Sequence, residues 1–162
     1  MENHIISSVL ASIHYLALAV GFWGLADRTI SARRLSRDSK NNPDLWAALF
    51  RGDNLWGIAA LLWIASGLYR AFGGLEKARE FYLGNGFFHV KMTLFLLVFA
   101  VEIMPMVRLI GARGRRKKDP ATAPLTADEL KKIFRAGMIE IHLLILVIFV
   151  ATLMARGVWL FS

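Results

Sequence analysis

The sequence predicts an all-α fold: an integral-membrane, antiparallel four-helix bundle with both termini outside. Three observations predict it. Four apolar stretches reach the ~20 residues that a helix needs to cross a bilayer, in a chain of 162 residues that is 56% apolar. Each stretch is too long and too uniformly apolar for a barrel strand, and a helix satisfies its own backbone groups in lipid. The positive charge is also lopsided along the chain.

The spans fall at about 5–26, 54–72, 87–107 and 137–160 of a single domain, 1–162. Between spans one and two, in the loop 27–53, lie Arg28, Arg33, Arg34, Arg37, Lys40 and Arg51. In the third connection, 108–136, lie Arg108, Arg113, Arg115, Arg116, Lys117, Lys118, Lys131, Lys132 and Arg135. These two connections share one side of a four-span protein, so fifteen of the twenty Lys and Arg residues share it too. The positive-inside rule makes that side the cytoplasm. The expected location is therefore a bacterial inner membrane, crossed several times. The net charge of +8 is explained by topology, so nucleic acid is not an expected partner, whereas the lipid bilayer is. Span one reads as a retained anchor, because it lacks the positive n-region and the short apolar run of a cleaved leader. With no cysteine, disulfides, thiolate metal sites and cysteine nucleophiles are excluded.

Local signals place the helix ends. In Asn41-Asn42-Pro43-Asp44, Asn42 is a cap, Pro43 takes the first helical position and Asp44 complements the dipole. This start predicts a short interfacial helix carrying Leu45, Trp46, Leu49 and Phe50, after which Arg51–Asn54 lead into span two. A second short helix is expected around 75–83, between glycines. The third connection, with Pro120 and Pro124, reads as flexible, and Pro105 should kink span three. Thr126-x-x-Glu129 is a capping box, so the last helix should begin near 127 and run into the membrane. Tyr69, Phe72, Phe81, Tyr82, Phe87, Phe88 and Trp159 are expected as one aromatic belt, and Trp23, Trp46 and Trp56 as the other.

Ionisable groups within spans mark sites by default. On span four, Arg135, His142, Phe149 and Arg156 share one stripe at 3.6 residues per turn. On span one, His14, Gly21 and Arg28 do the same, and His14 lies roughly 14 Å below the start of its span. Lys91 and Glu102 share a face of span three, with His89 pointing away from Lys91. Arg70 closes span two. Sorted by depth, the outer half holds Arg70, His89, Lys91 and Arg156, with His14 slightly below them. The inner half holds Asp27, Asp53, Glu102, Arg135 and Glu140. A basic cluster above buried histidines suits an anionic ligand such as haem propionates over a histidine-ligated iron. Arg70, Lys91 and Arg156 also lie within reach of the interface, where long cationic side chains snorkel. Glu102 and Glu140 are expected to pair with Arg108 or Arg135.

Four stretches carry a family resemblance: IHYLALAVGFWGLADR (13–28), DNLWGIAALLWIASGLYR (53–70), FFHVKMTLFLLVF (87–99) and FRAGMIEIHLLILVIFV (134–150). Over nearly its full length the chain resembles a group of uncharacterised four-span bacterial inner-membrane proteins, catalogued as a domain of unknown function. More distantly it is similar to HemJ-type protoporphyrinogen oxidases and to the membrane domain of copper-resistance D proteins. The resemblance implies His14 and His89 as ligands of a b-type haem, with Lys91 and Arg135 facing propionates or substrate.

The expected cofactor is haem b in the outer half. His14 and His89 would hold the metal, and Lys91, Arg70 and Arg156 would neutralise propionates. His14 with His142, or His14 alone, satisfies the sequence as well. The expected role is electron transfer or a redox step on a membrane-soluble quinone or porphyrin. Two rival roles are a non-catalytic subunit of a larger membrane complex and a copper-handling protein; a homo-oligomer is compatible with each.

Overall fold

A computed structural model of the protein describes residues 2–38, 41–74 and 79–158. Trp159 of the expected belt, Lys40, and residues 75–78 of the expected short helix lie outside them. Every regular element among the described residues is a helix, with no strand among them: α1 (Glu2–Leu35), α2 (Pro43–Phe72), α3 (Arg79–Gly84), α4 (Gly86–Lys118) and α5 (Ala127–Ala155). The four long helices have the length and apolar composition to cross a membrane.

The helix starts are set by the predicted side chains. Asn42 Oδ1 accepts from the Asp44 amide at 2.9 Å, with Pro43 opening α2. Thr126 and Glu129 form the reciprocal capping box of α5. Asn85, fully buried, caps α4, and its Nδ2 donates to the Val158 carbonyl at 3.2 Å. The expected break at 51–54 does not occur. The apolar face of residues 45–50 continues without interruption into the span, so α2 is one helix of 30 residues. α4 likewise runs on through Pro105.

Around the bundle the order is α2, α1, α5, α4. α1 packs along α2 and against α5, α4 packs along α5, and α2 touches α4 only sparingly. Glycines set the tight α1–α2 crossing. A Cβ at Gly24 would stand 2.8 Å from the Gly52 carbonyl oxygen, and one at Gly52 would stand 2.6 Å from both the Gly24 oxygen and the Arg28 amide nitrogen. Only bare backbone permits that approach.

Three apolar clusters follow the bundle axis. At the end carrying the basic loops, Leu35, Trp46, Leu49, Leu109, Leu130 and Ile133 pack together. Leu25, Trp56, Trp63, Val98, Leu144 and Val147 fill the middle. Ala71, Tyr82, Phe88 and Met154 close the far end. Large apolar side chains such as Leu16, Leu61, Leu96 and Phe149 cover the outside, where the solvent is acyl chain and not water.

Two sequence expectations change at the basic end. Trp46 and Trp56 are core residues, while Trp23 is exposed, so these three do not form one interfacial belt. The proline-bearing connection is tied down. Arg115 Nε donates to the Pro124 carbonyl at 2.9 Å, and Leu125 is buried. Asn41 joins the two basic loops. It accepts from Trp46 Nε1 at 2.7 Å and from Arg116 at 2.9 Å, and its own amide donates to the Ala121 carbonyl at 2.6 Å. Asp119 begins the turn. Hydrogen bonds from Thr122 and the Ala121 amide hold its carboxyl below the usual range.

Candidate functional site

Two polar centres sit inside the apolar bundle, fourteen residues and so about 21 Å apart along α1. Both lie on the α1 stripe of His14, Gly21 and Arg28, which faces the interior as its periodicity predicts.

At the basic end, Arg28 has no exposed surface. Its guanidinium grips Glu102 of α4 with both terminal nitrogens, each at 2.8 Å. One of them also donates to Glu140 of α5 at 2.7 Å and the other to Asp53 of α2 at 3.2 Å. The planar fork of arginine suits such bidentate pairing. Asp53 uses its second oxygen to accept from Arg113 at 2.6 Å. A single side chain from α1 thus ties together the three other membrane-length helices. This corrects the expected pairing: Glu102 and Glu140 take Arg28, Arg108 pairs instead with Glu129 at 2.9 Å, and Arg135 is exposed.

At the far end, the loose α2–α4 seam opens into a cleft with two adjoining lobes of about 120 and 240 Å³. Together they reach the lower end of the ~300–1,000 Å³ of ordinary small-molecule sites. His14, Gly67, Ala71, Lys91 and Ala151 line both lobes; Trp63, Phe88, Met92 and Phe95 wall one, and Arg70 and Tyr82 the other. The histidine ring lies against Gly67, where a Cβ would approach its Cε1 to 3.0 Å. It also stacks at a tilt near Trp63, with centroids 5.7 Å apart. Lys91 Nζ stands 5.4 Å from the centre of the Phe88 ring and the Arg70 guanidinium 5.6 Å from that of Tyr15, distances at which cations and aromatic faces attract.

The protonation of His14 follows from its neighbour. His14 Nδ1 is 3.0 Å from Ser66 Oγ. The Ser66 hydroxyl proton is committed to the backbone, donating to the Leu62 carbonyl at 2.6 Å. Ser66 therefore accepts and His14 Nδ1 carries the proton, so that in the neutral imidazole the lone pair is on Nε2. This is the tautomer in which an imidazole binds a metal, with its other nitrogen held by an outer partner. The Trp63 indole N–H, in the same wall, is buried and has no hydrogen-bond partner among the described residues. A dry donor of that kind fits an acceptor oxygen on a ligand.

The other sequence-predicted site residues are not brought to this cleft. His89 is exposed, and its Nε2 donates to the Leu83 carbonyl at 2.9 Å, fastening the α3–α4 corner. His142 is exposed and donates through Nδ1 to the Met138 carbonyl one turn back, at 2.6 Å. Arg156 caps the end of α5 and is also exposed. His89 and Lys91 do face different sides of α4, but the lysine takes the interior side and the histidine the outer one. Ser66, Gly67 and Met92 also take part, and little in the sequence marks them. The available signal was the Ser66-Gly67 step, a small polar break in the apolar run of α2 that lies across from His14.

Fold and buried polar centres together define a multi-pass membrane protein with four apolar helices clasped around an internal arginine. The chain belongs to the family described as Predicted membrane protein (DUF2214), which matches residues 6–159. No curated protein and no solved structure matches it.

Proposed function

We propose that this membrane protein binds a b-type haem in the α2–α4 cleft and uses it for electron transfer or a redox step on a membrane-soluble substrate. The observation that carries this is His14: an imidazole inside an apolar bundle, lining the cleft with Nδ1–H fixed by Ser66. His14 would hold the iron. Met92 lines the same lobe and replaces His89 as the candidate second residue that would hold the iron, since thioether with imidazole is an established haem pair. Lys91 and Arg70 supply positive charge for propionates, and the Trp63 N–H supplies a donor.

Haem, when bound, contributes one-electron redox chemistry. The chain does the rest. Ser66 sets the tautomer, Gly67 makes room for the ring, and Trp63, Phe88 and Phe95 keep water out. The sparse α2–α4 contact gives a quinone or porphyrinogen dissolved in the bilayer a lateral approach. By the positive-inside rule this cleft lies in the outer half of a bacterial inner membrane.

The test is the absorption spectrum of protein purified from cells supplied with haem precursor. A Soret band that shifts on reduction and disappears in His14→Ala supports the proposal. A colourless wild-type protein overturns it, and if it also lacks metal, the role of a non-catalytic subunit gains support. Imidazole and thioether on one cavity also suit copper. Copper at one equivalent, without a Soret band and lost in His14→Ala, assigns the cleft to that metal.

A further inference from the structure

The cluster around Arg28 is unequal in charge. Arg28 and Arg113 bring two guanidinium groups, while Asp53, Glu102 and Glu140 bring three carboxyl groups. Asp53 divides its two oxygens between the two arginines, and both oxygens of Glu102 accept from Arg28. Glu140 differs from both. It has no exposed surface, only its Oε2 accepts from Arg28, and its Oε1 is sealed without a hydrogen-bond partner among the described residues.

An ionised carboxylate spreads its charge over both oxygens, so a dry, unpartnered oxygen leaves about half a charge desolvated in the bundle. A proton on that oxygen removes the charge, and Oε2 still accepts from Arg28 as a carbonyl. The charged groups that meet at Glu140 are Arg28 from α1 and Glu102 from α4, backed by Asp53 from α2 and Arg113 from α4. Their sum leaves one negative charge to be neutralised. A metal ion is a poor candidate, because no set of three or more acidic or imidazole side chains is arranged to hold one among the described residues.

We propose that Glu140 is a proton-binding site, neutral at pH 7, and that protons reach it from the basic end of the bundle past Glu102. Of the three carboxyl side chains, Glu102 keeps the most surface, 16%, against 11% for Asp53 and none for Glu140. The exchange breaks one O–H bond of hydronium and forms one at Glu140 Oε1, and it reverses by the same route. The site is separate from the His14 cleft and does not depend on any cofactor there.

Infrared spectroscopy of the full chain in phospholipid bilayers tests this. The carbonyl stretch of a protonated carboxylic acid should be present at pH 7 in wild type and absent in Glu140→Gln. That variant should keep the wild-type melting temperature, because glutamine is isosteric with neutral glutamic acid. No such band in wild type overturns the proposal, as does a band that survives Glu140→Gln. A Glu140→Gln protein that fails to fold also overturns it, since the site then requires a charged carboxylate. A band abolished by sodium ions at constant pH assigns the cluster to a metal cation instead.

Discussion

The two halves of the bundle treat buried polarity in opposite ways. At the basic end the guanidinium of Arg28 meets carboxyl groups from three helices, and close α1–α2 backbone contact leaves no space around it. At the far end His14 and Lys91 line a cleft where α2 and α4 part. In lipid, apolar surfaces gain little from one another, so packing and polar bonds must hold helices together. The basic end supplies both. That leaves the far end free to be loosely packed, and a loosely packed polar wall is what a ligand needs.

Substitutions can break this contrast. The largest effect is expected from Arg28→Met, which leaves three carboxyl groups without their shared partner. Removing one member of a buried ion pair costs ~3–5 kcal/mol, and thermal unfolding in detergent should show it as severe destabilisation or loss of folded yield. Next comes Gly52→Leu, which forces α1 and α2 apart at the crossing. Overpacking of this kind costs ~1–3 kcal/mol, visible in the same melt, with the proposed haem binding in the distant cleft retained.

Ser66→Ala should cost only about 1 kcal/mol in stability, but it releases the His14 tautomer. Loss of such an outer partner weakens metal affinity by roughly 10–100-fold, so a titration with haem should separate the two readouts. His89→Ala should be the mildest. It removes one hydrogen bond to the Leu83 carbonyl, worth ~0.5–1.5 kcal/mol, and leaves the cleft's ligand affinity unchanged. If His89→Ala abolishes haem binding as His14→Ala does, the division between a cleft histidine and a corner histidine fails.

Much of the fold was legible because its signals are local. Span length, the Asn42 and Thr126 caps, and the inward stripe of His14, Gly21 and Arg28 depend only on neighbours within a few turns. The lining of the candidate cleft was legible in part. Depth and helical phase point to His14 and Lys91, which line it, and equally to His89 and His142, whose ring nitrogens turn to nearby carbonyls. A side chain that reaches its own helix or corner and one that lines a cleft look alike in a sequence. The partners of Glu102 and Glu140 were misassigned for a related reason: nearby cations in sequence were preferred over Arg28, which lies on another helix.

By itself, then, the sequence determined four membrane-length helices, the caps at Asn42 and Thr126, the alternating direction of the helices and the end at which positive charge gathers. These follow from apolar length, capping chemistry and the periodicity of one helix at a time. Only the tertiary structure decided that Arg28 would be the common partner of three carboxyl groups, that Ser66 would set the protonation of His14, and that α2 and α4 would part. Each of those depends on the rotation and spacing of separate helices, which interdigitating side chains and bare glycine backbones set in three dimensions.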